Sequence, residues 1–75
     1  MNNFFFTYGQ NHKAVDGVAL KNYFVRVVAA SEEEAIKKFR PFNRDLTGHS
    51  DTYSSMYAEN EFDPDYFKAG EYRTL

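Results

Sequence analysis

The sequence predicts a small α+β fold, in which an antiparallel sheet of three to four strands carries one capped helix on one face. Two short segments rich in aromatic and β-branched residues precede residue 30. A capping box then opens the strongest helical segment, and a short helical turn follows it. Strands that are close in sequence most simply pair antiparallel, and a short helix needs a sheet beneath it. The predicted order is therefore ββαβ with a helical turn near the C-terminus.

The length supports one domain, residues 1–75, with a thin core. At 8.8 kDa the area scaling of folded proteins predicts an accessible surface of roughly 4,800 Å², with about 60% of the unfolded surface buried. The chain has no cysteine, which excludes a disulfide framework and a thiolate zinc site. Small domains without either often gain stability from a partner or from self-association.

Composition and alternation predict the first two strands. Residues 3–8 are short, aromatic and closed by Gly9, with phenylalanine at both parities, so both faces of this strand should be covered. Residues 9–21 are predicted to be a loop with a small hairpin at Asp16-Gly17. Residues 22–29 form the clearest strand. Its predicted core face carries Tyr23, Val25 and Val27, and its other face carries Phe24, Arg26 and Val28.

The helix begins at the capping box Ser31-Glu32-Glu33-Glu34, where Ser31 caps the amide of Glu34. Acidic residues in the first turn and basic residues near the end suit the helix dipole. Pro41 is predicted to end the helix. Its narrow apolar stripe consists of Ala35, Ile36 and Phe39.

The rest of the chain alternates polar and aromatic segments. Residues 42–50 are predicted to be a polar loop, and residues 51–57 a third strand. Asp63 as N-cap and Pro64 at the first position predict a very short helix, which Gly70 ends. Residues 71–75 are a candidate edge strand.

The strands carry more aromatic side chains than one short helix can cover. Two arrangements remain open. Either the loop of residues 9–21 and the C-terminal segment fold over the second face of the sheet, or a partner or second copy covers it.

The charge and hydropathy of the chain argue against some classes of function. The net charge is −2, so a basic clamp for nucleic acid is not indicated. No apolar run approaches the ~20 residues of a membrane span, and the start of the chain lacks a positively charged leader. We therefore expect a cytoplasmic protein. The charge is uneven, because residues 1–44 carry +3 and residues 45–75 carry −5.

An enzyme is not expected. The sequence contains no zinc-protease, P-loop, hydrolase or dinucleotide-binding motif. Its two histidines, His12 and His49, lie in predicted loops, where a solvated histidine is the ordinary finding. Carboxylates at Asp51, Asp63 and Asp65 suit a hard cation, but capping explains the Asp-Pro-Asp segment better. We predict no catalytic residue, no metal site and no cofactor.

Two surfaces are candidates for binding. The first is the acidic C-terminal segment, which is either a solvated element anchored by aromatic residues or a protein-binding surface. In the second case its carboxylates would steer it toward a basic site and its aromatic rings would anchor it. Its candidate residues are Glu59, Glu61, Phe62, Asp63, Asp65 and Tyr66.

The alternative surface is an aromatic face of the sheet, on which nucleic-acid bases stack in RNA-recognition domains. Its candidate residues are Phe5, Phe24, Arg26 and Tyr53. The acidic balance and the need of a small domain to bury its aromatic residues favour core or dimer interface over base stacking, and a self-associating structural module is a further alternative.

The whole pattern resembles small uncharacterised proteins encoded by bacteriophages and prophages. The residues that carry the likeness are Phe5 to Gly9, Tyr23 to Val27, Ser31 to Ala35, Tyr57, Glu61 to Phe67, and Gly70 to Tyr72. This resemblance implies a phage accessory protein. Such small acidic proteins commonly occupy the working surface of a host protein, and anti-CRISPR proteins are the best-known class.

We therefore expect a non-enzymatic inhibitor that binds a host defence protein which itself binds nucleic acid. Competition with DNA is one way in which it would act. Direct binding of nucleic acid and membrane association are not expected, and a homodimer is compatible with the sequence.

Overall fold

The computed structural model describes residues 1–75 and confirms the α+β class, with a four-stranded sheet and one helix on one of its faces. Two short 3-10 turns, Glu59–Glu61 and Pro64–Tyr66, follow the third strand. The regular elements are β1 (Asn2–Thr7), β2 (Tyr23–Ala29), α1 (Glu32–Thr47), β3 (Ser55–Ala58) and β4 (Gly70–Thr74).

The strand order is β3-β1-β2-β4. Strand β1 pairs antiparallel with both β2 and β3, as expected. Strand β4 instead pairs parallel with β2, so the predicted wholly antiparallel sheet is corrected to a mixed one. Strands β3 and β4 occupy opposite edges and run in the same direction. Residues 59–69 must therefore cross a face of the sheet between them, since parallel strands need a crossover connection.

The main core lies between the sheet and α1. Val25, Val27 and Ala29 of β2 are fully buried there, which confirms the predicted core face. Phe6 of β1 stacks on Phe39 of α1 with ring centroids 3.9 Å apart. The accessible surface of 4763 Å² agrees with the area scaling. Buried residues of this core are Phe4, Phe6, Tyr8, Ala14, Leu20, Val25, Val27, Ala29, Ala35, Phe39 and Leu46.

Helix α1 is longer than predicted, because Pro41 does not end it. Ser31 caps the helix as expected, accepting a hydrogen bond from the amide of Glu34 at 3.2 Å. Pro41 lies on the solvent side, where water can satisfy the carbonyl that loses its amide donor. The helix continues to Gly48, whose φ of 89° is a left-handed C-cap. Residues 42–47 are thus helical rather than a polar loop.

Replacing Pro41 with alanine is expected to stabilise the protein by about 1–2 kcal/mol. The gain is the restored backbone hydrogen bond, offset by the freedom that the unfolded chain recovers. Thermal unfolding monitored by circular dichroism should show a Tm raised by roughly 5–15 °C. Pro64→Ala is the matched control and should bring no such gain, since Pro64 occupies the first position of its turn. An unchanged or lowered Tm for Pro41→Ala would contradict this account of the helix.

A buried polar side chain explains why the third strand begins later in the chain than predicted. Asn43 is fully buried and accepts a hydrogen bond from the hydroxyl of Tyr8 at 2.8 Å. The two N–H groups of its side-chain amide are shared among three backbone carbonyls at 3.0–3.2 Å, those of His49, Ser50 and Thr52. These bonds hold residues 49–52 against the helix, so the third strand begins at Ser55 and not at residue 51.

The two smaller turn predictions are confirmed. At the Asp16-Gly17 hairpin, the amide of Ala14 donates to the carbonyl of Val18 at 2.9 Å. Asp63 caps the turn that Pro64 opens. This turn is a 3-10 rather than an α-helix, and it ends at Tyr66 rather than at Gly70, which instead begins β4. β4 then forms the predicted edge strand.

Candidate functional site

The outer face of the sheet, opposite α1, is covered by the C-terminal segment of the same chain. Phe62 stacks on Phe5 with ring centroids 4.2 Å apart and planes 5° apart, and its ring meets Phe24 edge-on at 4.9 Å. Phe67 in turn stacks on Phe62 at 5.2 Å. Phe5 and Phe24 consequently retain only 8% and 4% of their exposure. The segment of residues 59–69 thus buries the second set of aromatic rings.

The loop of residues 9–21 packs mainly on the helix side, and only its ends, at Gly9, Gln10 and Lys21, border the covering segment in a hollow beside Tyr66 and Phe67. It contributes Ala14 and Leu20 to the core on the helix side, and the amide of Val15 donates to the carbonyl of Leu46 in α1 at 2.8 Å. Of the two chain segments expected over the second face, the C-terminal one lies there.

The predicted stacking face of Phe5, Phe24, Arg26 and Tyr53 is not assembled. Tyr53 lies on the opposite side of the sheet, where its ring meets those of Phe6 and Phe39 edge-on at 5.2 and 5.3 Å. The assignment of Tyr53 to the stacking face was wrong. Residue 53 precedes β3, so the alternation of side chains along that strand does not determine which side of the sheet Tyr53 faces.

The other three predicted stacking residues do share the outer face but are already engaged. Phe62 covers the rings of Phe5 and Phe24, and the guanidinium of Arg26 lies 5.8 Å from the centroid of Phe5. The Nε atom of Arg26 is 2.8 Å from a carboxylate oxygen of Glu71, although its N–H does not point along a hydrogen bond. Neither buried ring offers a free face to a base.

The acidic C-terminal segment forms a shallow concavity of about 250 Å³. Tyr66 stands at it with 79% of its surface exposed, although it is one of the larger apolar side chains of the protein. Four predicted partner-binding residues line the concavity, and Tyr57 and Phe67 complete it. The lining residues are Tyr57, Glu61, Phe62, Asp63, Tyr66 and Phe67.

Tyr57 is the lining residue that the sequence analysis did not assign to this surface. It pairs with Phe5 across β3 and β1, so its side chain shares the outer face with Phe5. The alternation of residues in the third strand indicated that Tyr57 lies on one face of the sheet. Only the pairing with β1 shows that this is the outer face.

Local backbone bonds hold two of the carboxylates at the concavity. Glu61 accepts a hydrogen bond from the amide of Ala58 at 3.2 Å, and Asp63 accepts one from the amide of Asp65 at 3.0 Å. Each bond uses one carboxylate oxygen, and each carboxylate therefore has its second oxygen available to a ligand. Both residues are exposed.

Two predicted binding residues lie outside the concavity. Glu59 accepts a hydrogen bond from the side-chain amide of Asn3 and lines a neighbouring hollow beside β1. Asp65 is exposed on the second 3-10 turn but does not line the concavity.

The carboxylates of the acidic C-terminal segment form no salt bridges. Every salt bridge of the structure uses an acid elsewhere, namely Glu71, Glu33, Glu34 or Asp51. None involves Glu59, Glu61, Asp63 or Asp65. No basic side chain lies within salt-bridge distance of these four carboxylates, which therefore stay unpaired on a segment with an exposed aromatic ring.

The two histidines have different surroundings. The Nδ1 atom of His12 accepts a hydrogen bond from the amide of Gly9 at 3.2 Å, and its ring packs edge-on against Tyr8. His49 is exposed, and its backbone carbonyl serves the Asn43 network. Burial, and secondarily the charge of Tyr72, raises the pKa of the Tyr8 phenol, so Tyr8 remains a neutral hydrogen-bond donor at physiological pH.

The structure contains no group of three or more histidine, aspartate or glutamate side chains that is arranged to hold a metal ion. The single α-helix lacks the length and apolar character of a membrane span. Comparison of the chain with protein-family models, curated proteins and solved structures finds no match.

Proposed function

We propose that this protein is a non-enzymatic inhibitor, encoded by a phage or prophage, that binds a bacterial defence protein in the cytoplasm of the host. The surface that binds is the acidic aromatic surface, defined as Tyr57, Glu61, Phe62, Asp63, Asp65, Tyr66 and Phe67. The phage and defence context comes from the resemblance of the sequence pattern. The binding site comes from the unpaired carboxylates around exposed Tyr66.

The charges of this surface suit a basic partner. Complementary charges speed the encounter of two proteins and suppress wrong partners, while buried aromatic anchors supply most of the affinity. Tyr66 is the exposed anchor, and Phe62 and Phe67 hold the segment on the sheet beneath it. A basic surface on a defence nuclease commonly contacts nucleic-acid phosphates, so occupying it would displace DNA or RNA.

Protein binding is favoured over base stacking because the structure covers the stacking rings. Phe5 and Phe24 lie beneath Phe62, whereas bases stack on open ring faces. The chain also places its negative charge on the surface with the exposed ring, where it would repel phosphates.

Neutralising three carboxylates tests the proposal while keeping the local turns. In Glu61→Gln/Asp63→Asn/Asp65→Asn, the side-chain oxygens that accept the amides of Ala58 and Asp65 remain. We expect this variant to bind the partner at least about tenfold more weakly, equivalent to about 1.4 kcal/mol. The measurement is capture of the tagged protein's partner from nuclease-treated lysate of cells carrying defence systems, followed by affinity measurement with the purified partner.

A second variant controls for net charge. Glu32→Gln/Glu33→Gln/Asp45→Asn removes three charges from α1, so both variants change the formal net charge from −2 to +1. The control should retain partner binding and should still restore plating of a phage that the defence system restricts. Equal inhibition by the two variants would refute the proposed surface. Recovery of a partner only when nucleic acid is intact would refute direct protein binding.

A further inference from the structure

We infer that the concavity of Tyr57, Glu61, Phe62, Asp63, Tyr66 and Phe67 is a binding site for a single arginine side chain of the partner protein. The inference rests on the proposed function, because it names the group that the acidic aromatic surface recognises. It is tested separately below, with an isolated arginine derivative and without a partner protein.

The size of the concavity matches one side chain. Its volume of about 250 Å³ lies below the roughly 300–1,000 Å³ of pockets that take drug-sized ligands. It is also open to solvent on one side, as a site for a projecting side chain of another protein must be.

The lining provides ring faces at several angles. Tyr57 and Phe62 have ring centroids 5.9 Å apart with planes tilted by 42°. Tyr66 and Phe67 have centroids 5.6 Å apart and meet at 67°. All four rings line the concavity, Tyr66 with most of its surface exposed, and the face of an aromatic ring attracts a cation that lies within about 6 Å of its centroid.

The charges at the concavity select a cation. Glu61 and Asp63 line it without any basic residue of this chain paired to them. Their hydrogen bonds to the amides of Ala58 and Asp65 hold the carboxylates in place, so little conformational freedom would be lost on binding. An anionic or purely apolar ligand would leave these carboxylates uncompensated.

Planarity favours arginine over lysine. A guanidinium stacks flat on an aromatic ring while its N–H groups donate to a carboxylate in the ring plane. An ammonium group is a compact, strongly hydrated charge that lacks the stacking surface. A guanidinium beside a ring and a carboxylate already occurs within the protein, since the Arg26 guanidinium lies 5.8 Å from the centroid of Phe5 and its Nε atom lies 2.8 Å from a carboxylate oxygen of Glu71.

The test is titration of the intact protein with acetyl-arginine amide, followed by NMR of the aromatic side chains. We expect saturable shifts confined to the rings of Tyr57, Phe62, Tyr66 and Phe67, with millimolar affinity. Acetyl-citrulline amide, which is nearly isosteric but uncharged, should bind at least about tenfold more weakly, because it cannot make the cation–π and charge-assisted contacts. Acetyl-lysine amide, with its ε-amine free, should fall between the two.

Matched variants locate the site. Tyr66→Leu keeps an apolar side chain but removes the ring, and Asp63→Asn keeps the turn but removes the charge; each should weaken arginine binding by at least about threefold. Tyr72→Leu, on the helix side of β4 against Tyr23, is the control and should leave it unchanged.

Equal binding of arginine and citrulline derivatives, shifts outside the concavity, or full binding by Tyr66→Leu would each overturn the inference. Binding of the lysine derivative as tight as that of arginine would overturn the assignment to guanidinium. If the arginine site fails while Glu61→Gln/Asp63→Asn/Asp65→Asn still loses the partner, the proposed function stands without it. If arginine binds but that variant keeps the partner, the site is real and the proposed function fails.

Discussion

Replacement of Asn43 with leucine is expected to lower the free energy of unfolding by about 3 kcal/mol. Leucine has a similar volume, so the loss comes from polar groups and not from a cavity. The hydroxyl of Tyr8 and the part-buried carbonyls of Ser50 and Thr52 lose a partner, whereas the carbonyl of His49 keeps its bonds from Thr47 and Thr52. An unsatisfied buried group costs roughly 1–3 kcal/mol. A domain of this length has a total stability of only roughly 4–11 kcal/mol.

Urea unfolding monitored by tyrosine fluorescence measures this loss. Tyr8→Phe removes one of the four hydrogen bonds and should cost about 1–2 kcal/mol. The double variant should cost less than the sum of the two, because each single change leaves a partner unpaired that the double variant removes. Additive losses would show that Tyr8 and Asn43 are not coupled, and a loss for Asn43→Leu no larger than that for Tyr8→Phe would show that Asn43 does not organise residues 49–52.

Replacement of Phe62 with alanine is expected to release the C-terminal segment from the outer face of the sheet. Phe62 contacts Phe5, Phe24 and Phe67, and truncating a buried phenylalanine costs about 3–5 kcal/mol; the partial exposure of Phe62 places the loss near the lower end. The change also uncovers the rings of Phe5 and Phe24. We therefore expect lower stability together with a newly exposed apolar face.

Two measurements distinguish release of the segment from simple loss of stability. At temperatures where the variant remains folded, binding of the dye ANS should rise, and sedimentation should show concentration-dependent association through the uncovered face. Tyr66→Ala, in the same segment but largely exposed, should alter stability by less than about 0.5 kcal/mol and leave dye binding unchanged. A Phe62→Ala protein that neither binds dye nor associates would contradict the role of Phe62 as the cover of this face.

Local signals in the sequence were sufficient for most elements of the fold. The Ser31 capping box, the alternation of residues 23–28 and the Asp63-Pro64 turn each depend on neighbours within a few residues, and all are confirmed. Pro41 was misinterpreted because the burial of Phe39, Asn43 and Leu46 along one face of α1 outweighs the local cost of a proline on the solvent side. Tertiary packing routinely overrides helix propensity in this way.

The residues of the candidate site were also predicted only in part, because tertiary packing decides which side chains meet there. Glu61, Phe62, Asp63 and Tyr66 were identified from their alternation of charge and aromatic character, and they do line one concavity. Residues 51–57 were predicted to be one strand. In the structure Tyr53 precedes β3 and packs against Phe6 on the helix side, whereas the pairing of Tyr57 with Phe5 places Tyr57 on the outer face.

Patterns in the sequence were sufficient to predict the α+β class, the capped helix, the core face of β2 and the acidic aromatic character of the C-terminal segment. These properties follow from interactions between residues that are close in the chain. The tertiary structure alone decided the parallel pairing of β4, the extension of α1 past Pro41 and the cover of the outer face by Phe62 and Phe67. Each of these depends on contacts between residues that are distant in sequence: the pairing of β4 and the cover of the outer face require the crossover of residues 59–69, and the extension of α1 requires its burial against the other face of the sheet.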